Sequence, residues 1–146
     1  MAAIVTFIGA LISGFVGGVV AVEYRHRRDK NNEVRKWYNQ TERLAQRVLR
    51  HDYNDWTGPK PLYARATCAG VHSELASHLG EAPPPIDEDV LSVADQLVSE
   101  CQLVKQMRER DAERDTTEIQ TRVTEAAEVA ERLDQLAREN RERIRF

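Results

Sequence analysis

The sequence predicts an all-α protein in which a single N-terminal transmembrane helix precedes an antiparallel helical bundle with coiled-coil-like helices. Three observations carry this expectation. Residues 2–22 are an uncharged apolar run. The rest of the 146-residue chain is rich in Ala, Leu, Glu and Arg, all strong helix formers. The prolines sit in only two places, Pro59 with Pro61 and Pro83 to Pro85, so long helices with two evident breaks are expected.

The apolar run, AAIVTFIGALISGFVGGVVAV, covers a length of roughly 31 Å at ~1.5 Å per residue, the thickness of a bilayer core. No basic residue precedes it, and it is longer than the ~7–15 residues of a signal-peptide core, which favours an uncleaved anchor over residues 1–23. The nearby positive charges, Arg25, Arg27, Arg28 and Lys30, all follow the run. Basic flanks are retained on the cytoplasmic side, so the expected orientation is N-terminus outside and C-terminal domain cytoplasmic, as a single-pass protein of the cell membrane. Small residues recur at spacing four in two adjacent rows, Gly9, Ser13 and Gly17, and Gly14 with Gly18. Such rows let a second helix backbone approach closely, which makes them candidate packing positions within the membrane.

Charge is unevenly distributed. Residues 24–50 carry nine Lys/Arg against three Asp/Glu, a balance of +6, whereas residues 51–146 carry twelve against twenty, a balance of −8. A basic membrane-proximal segment followed by an acidic domain suits an anionic lipid surface and disfavours nucleic acid. Within 24–50, Val34, Trp37, Thr41, Leu44 and Val48 recur at three and four, with Tyr38, Ala45 and Leu49 beside them. That stripe predicts an amphipathic helix. Lys36, Arg43, Arg47 and Arg50 fall opposite the stripe and, with Arg25, Arg27, Arg28 and Lys30, are candidate contacts for anionic lipid or a protein partner. The pair Asn31-Asn32, poor in helix propensity, predicts a bend that would lay this helix along the membrane.

The segment 51–146 is expected to form the remaining helices, with breaks at 51–61, 80–86 and near 111–116. Thr57-Gly58-Pro59 and Pro61 oppose helix, and Tyr53 and Trp56 in that loop suit a cap or an interface. A second helix over 62–79 carries an apolar stripe of Leu62, Ala66, Ala69, Leu75, Ala76 and Leu79, with Gly80 placed as a C-cap. A third begins near Asp87 and buries Val90, Ala94, Leu97, Cys101 and Val104. Asp115 and Glu118 resemble a capping box, so a fourth begins near Thr116. Its stripe of Ile119, Val123, Ala126, Ala130, Leu133, Ala137, Asn140 and Ile144 keeps strict four-three spacing.

Chemistry is sparse. Cys68 and Cys101 are too few for a disulfide framework and are expected to be buried thiols. Cys68 and His72 share a helix face, but no four-ligand zinc spacing exists. His51, Asp52 and Asp55 lie together without a nucleophile or a phosphate loop, and Glu74 with His78 is expected to be a surface pair. No cofactor, metal or catalytic residue is predicted. The reading is a membrane-anchored interaction protein, an adaptor or accessory subunit, with the bilayer and a protein partner or a second copy as its contacts. The rivals are a membrane-active or envelope structural protein of a virus or mobile element, and a helical-bundle enzyme with an unrecognised site.

Overall fold

The computed structural model describes residues 2–50, 60–107 and 116–145, with side chains beginning at Val20, Tyr63 and Thr117 in the three segments. The described residues form four α-helices: α1 over Ala2–Leu49, α2 over Lys60–Gly80, α3 over Glu88–Gln106 and α4 over Thr116–Arg143. Contacts run round a ring. α1 packs on α4 and α2, and α3 packs on α2 and α4, while the diagonal pairs touch little. Each neighbouring pair is antiparallel. On α1 and α2, Trp37 meets His78 and Arg47 meets Glu74. On α2 and α3, Arg65 meets Met107 and His72 meets Val98. On α1 and α4, Asn39 meets Arg141 and Gln46 meets Asp134.

The core is built from the expected stripes of three helices. On α4, Ile119, Val123, Ala126, Ala130, Leu133 and Ala137 are all fully buried. So are Val90, Ala94, Leu97, Cys101 and Val104 of α3. α1 contributes Val34, Trp37, Tyr38, Thr41, Leu44, Ala45 and Val48. Small residues on α4 allow close approach, and the larger side chains opposite fill the space.

α2 corrects its expected stripe. Ala64, Cys68, Val71 and Leu75 face the core, whereas Ala66 and Ala76 are exposed, Ala69 and Leu79 are half-buried, and Leu62 lies outside the described side chains. The cause is weak amphipathicity: apolar residues are spread almost evenly round this helix, so its neighbours choose the buried face.

Helix ends differ in detail from expectation. α2 starts at Lys60, so Pro61 lies in its first turn rather than ending a loop. There the missing N–H has no intrahelical acceptor to satisfy. Gly80 is the last residue of α2 and does not take up the left-handed conformation of a C-cap glycine. Tight bonds from Glu81 N–H to the His78 carbonyl and from Ala82 N–H to the Leu79 carbonyl close the turn instead. α3 begins next to Asp87 as expected, and Asp87 caps it, its carboxylate accepting from Asp89 N–H at 2.9 Å. The Tyr38 hydroxyl accepts from Asp87 N–H at 3.2 Å and ties this connector to α1. At the other end of α3, the Arg65 guanidinium donates to the Met107 and Lys105 carbonyls, satisfying orphaned acceptors. α3 ends at Gln106 and α4 begins at Thr116, so two helices form rather than one long one; Asp115 of the expected capping box is outside the described residues.

The expected bend at Asn31-Asn32 is absent, because α1 is helical without interruption from Ala2 to Leu49. Asparagine costs a helix only about 0.7 kcal/mol per residue. The Asn31 amide also donates to the Arg145 carbonyl at the end of α4, which holds it in place. Among the residues with described side chains, no helix is long and apolar enough to cross a membrane. The run 2–22 precedes that region almost entirely, so the span expected from the sequence falls outside the described side chains.

Candidate functional site

The part of α1 that precedes the bundle has a well-defined boundary. Every residue from Val20 to Lys30 is exposed, and burial begins at Val34. Helix residues that meet no partner of the bundle therefore cover at least ~16 Å at 1.5 Å per residue. Val20, Val22 and Tyr24 are 62%, 67% and 59% exposed, an apolar group at the N-terminal end of this stretch. Arg25, Arg27, Arg28 and Lys30 follow at once, with Arg27 ion-paired to Glu23 at 2.9 Å. The sequence-predicted packing positions Gly9, Ser13, Gly14, Gly17 and Gly18 lie outside the described side chains.

The second predicted basic group divides. Lys36, Arg43 and Arg50 are exposed, on the side of α1 turned away from the core, and make no ion pair among the described residues. Arg47 does not belong with them. It leans over α2 and pairs with Glu74 at 2.6 Å, close enough to Gly70 that an added Cβ there would lie 3.2 Å from the guanidinium. Glu74 thus serves Arg47, and the expected Glu74–His78 pair is replaced. Seven residues separate Lys36, Arg43 and Arg50 successively, which keeps them in one row, whereas Arg47 is turned by about 40° towards α2 at 100° per residue.

His78 turns inward, a placement the sequence pattern did not suggest. Its ring stacks on Trp37 with centroids 4.5 Å apart and planes at 12°. The Trp37 indole N–H donates to the His78 carbonyl at 3.1 Å, while His78 Nε2 lies 3.0 Å from both the Trp37 carbonyl and the Thr41 hydroxyl. The exchange of side-chain and backbone bonds locks α1 to the C-terminal end of α2. Burial lowers the His78 pKa below the ordinary imidazole value, opposed by the Trp37 carbonyl and Glu81. A shallow groove of about 390 Å³ opens beside it, lined by Glu33, Lys36, Trp37, Glu81 and Pro83. It is open to solvent and carries both signs of charge, so it offers no enclosed chamber in which a reaction could be shielded from water.

Between α1 and α4 lies a polar cluster that sequence reasoning also missed. Glu42 is only 6% exposed, and its carboxylate meets Arg141 at 2.7 Å and Arg138 at 3.6 Å. Burial raises its pKa above the usual carboxylate value despite the two arginines. Arg138 also holds Asp134 at 2.7 Å, and Gln46 donates to that carboxylate. The signal was available in principle: Glu42 occupies the flank of the apolar stripe that an antiparallel neighbour must cover.

Cys68 and Cys101 are free, buried and face each other across the α2–α3 contact. The hydrogen bond with Cys68, and then burial, push the Cys101 thiol far above the ordinary range, so it stays protonated. His72 bonds the Val98 carbonyl instead of joining Cys68 at a metal. Among the described residues no group of three or more His, Cys, Asp or Glu could hold a metal ion, and His51, Asp52, Tyr53, Asp55 and Trp56 lie outside them. No protein-family model matches the chain, and no curated protein or solved structure matches it.

Proposed function

We propose that the chain is a membrane-anchored helical interaction protein, an adaptor or accessory subunit of a membrane complex. Residues 1–23 are the anchor, the N-terminus is outside and the bundle is cytoplasmic. The observation that supports this reading best is the free, continuous stretch of α1. Exposed Val20, Val22 and Tyr24 give way within one residue to Arg25, Arg27, Arg28 and Lys30. This is the order of an apolar span, an interfacial aromatic and a basic flank met on leaving a bilayer. The bundle behind it spends its buried polar groups on helix–helix contacts, which suits a scaffold.

With α1 continuous, its two basic groups have different roles. Measured from Val22, Lys30 is ~12 Å along an upright helix, Lys36 ~21 Å and Arg50 ~42 Å. The screening length at physiological salt is ~8 Å. Arg25, Arg27, Arg28 and Lys30 then serve anionic headgroups, and Lys36, Arg43 and Arg50 are left for protein. The test is carbonate and high-salt washing of membranes that hold the full chain, with protease accessibility of the bundle from each side. The chain should stay in the pellet and its bundle should be cut only from the cytoplasmic side. Release into the wash would overturn the anchor, and cleavage from outside would overturn the orientation.

A further inference from the structure

We propose that neighbouring copies of this chain associate head to tail in the membrane plane. The outer basic face of α1 in one copy meets the outer acidic face of α4 in the next. The inference rests on the anchored reading above and names the partner that reading left open.

Two faces carry it. On α1, Lys36, Arg43 and Arg50 stand directly opposite the buried stripe. On α4, Glu128 and Glu142 hold the corresponding position, with Glu125, Glu131 and Glu139 beside them, all exposed; Arg132, in the row of Glu125 and Glu139, is turned to Gln96 of α3. None of these eight side chains has an ion pair among the described residues. Several flanking charges, in contrast, are ion-paired within the copy: Arg47 with Glu74, Arg141 with Glu42, and Arg138 with Glu42 and Asp134. Internal ion pairing has drawn on these flanking charges and left the outermost rows without ion pairs, Glu139 accepting only a hydrogen bond from Gln135 at 3.0 Å.

The heights of the two faces agree. Within one copy, Asn39 lies beside Arg141 and Gln46 beside Asp134, which sets the levels of α1 and α4. On that scale Lys36 is level with Glu142, Arg43 with Glu139 and Gln135, and Arg50 with Glu128 and Glu131. Copies anchored in the same orientation are related by rotation about the membrane normal. That rotation preserves height and direction, so α1 of one copy runs antiparallel to α4 of the next with opposite charges level. A single exposed ion pair is weak, but the shared membrane raises effective concentration and several pairs form together. The two faces are different surfaces, so the contact is heterologous and repeats into a closed ring or an open row.

The test uses the full chain in vesicles of neutral phosphatidylcholine, where anionic lipid cannot compete for the basic row. Cysteines placed at Gln40 and Gln135, beside the two faces, are joined by a thiol-specific crosslinker. The Q40C/Q135C chain should give a ladder of oligomers, and Q40C or Q135C alone should give none above background. Reversing the basic face (K36E/R43E/R50E) or the acidic face (E128K/E139K/E142K) should lower the ladder several-fold. Combining both reversals should restore it. A ladder indifferent to either reversal, a loss that the combination does not restore, or crosslinks from Q40C alone would overturn the proposal. Carbonate washing of the same vesicles separates the two readings. A chain that stays bound but fails these tests refutes the head-to-tail contact alone, whereas a chain that washes off loses the common orientation and refutes both.

Discussion

The two described parts of α1 are one helix held by different forces. From Val34 to Val48, eight residues are buried against α2 and α4, including Trp37, Leu44 and the charged Glu42. From Val20 to Lys30, none is. Packing an amphipathic face supplies most of a helix's stability in a protein, and isolated helices shorter than ~12–15 residues are marginal in water. The bundle therefore accounts for the second part by packing, whereas the first gains from it only the nucleus from which the same helix propagates. Along the first part, Glu23 and Arg27 form an ion pair at i, i+4 spacing, and the helix continues without interruption from the uncharged run that precedes it.

The sharpest way to break the comparison is to place the same charge in both parts. Leu133→Asp buries an unpaired carboxylate at a fully covered position and should cost several kcal/mol, seen as loss of a cooperative thermal transition. Val22→Asp, at a position 67% exposed, should leave the bundle's melting temperature unchanged. If Val22→Asp melts the bundle as Leu133→Asp does, the division of α1 is wrong.

A smaller effect separates the buried charge from its partners. Arg141→Met leaves Glu42 covered with one weak partner, so it should destabilise by about 1–2 kcal/mol. Glu42→Gln should cost less, because burial already disfavours the charged form and the freed arginines are partly exposed to water. Denaturant unfolding of the two variants should give that order; equal losses would mean that the pair is held chiefly by its Coulomb attraction.

The smallest effect is a pH dependence at the α1–α2 lock. His78 binds a proton less readily folded than unfolded, so the unfolded chain holds more protons as pH falls. Its contribution to stability is present above pH ~6.5 and is lost as pH drops through the depressed folded value. Glu42 has the opposite sign: its folded pKa is raised, so its contribution is present at low pH and lost as pH rises through that value. His78→Phe keeps a ring for Trp37 and removes the titration. Its stability should change less than the parent's between pH 7 and pH 5.5, and an identical slope would remove His78 as the source.

Most of the fold was legible along the chain. The stripes of α3 and, as far as Ala137, of α4 were read correctly because their apolar residues keep one phase over about four turns or more, so a single face can be buried and the neighbour's identity does not matter; Asn140 and Ile144 at the end of the α4 stripe are only half-buried. The start of α3 at Asp87 was legible for a local reason, a carboxylate within reach of its own helix's N–H groups. α2 was misread because its evenly spread apolar residues leave the phase to α1 and α3. The same limit hid the candidate site. Lys36, Arg43 and Arg50 were found by angle alone, but Arg47 left their row because Glu74 happens to face it from another helix.

By itself, the sequence determined which segments are helical, which faces of α1, α3 and α4 are buried, and where charge accumulates. These depend on residues within a turn or two of one another, and spacing along the chain fixes their geometry. Only the tertiary structure decided that His78 stacks on Trp37, that Glu42 is buried between two arginines, that Cys68 faces Cys101, and that α1 continues straight through Asn31-Asn32. Each of these depends on the level at which one helix passes another, a quantity set by how four faces pack together at once.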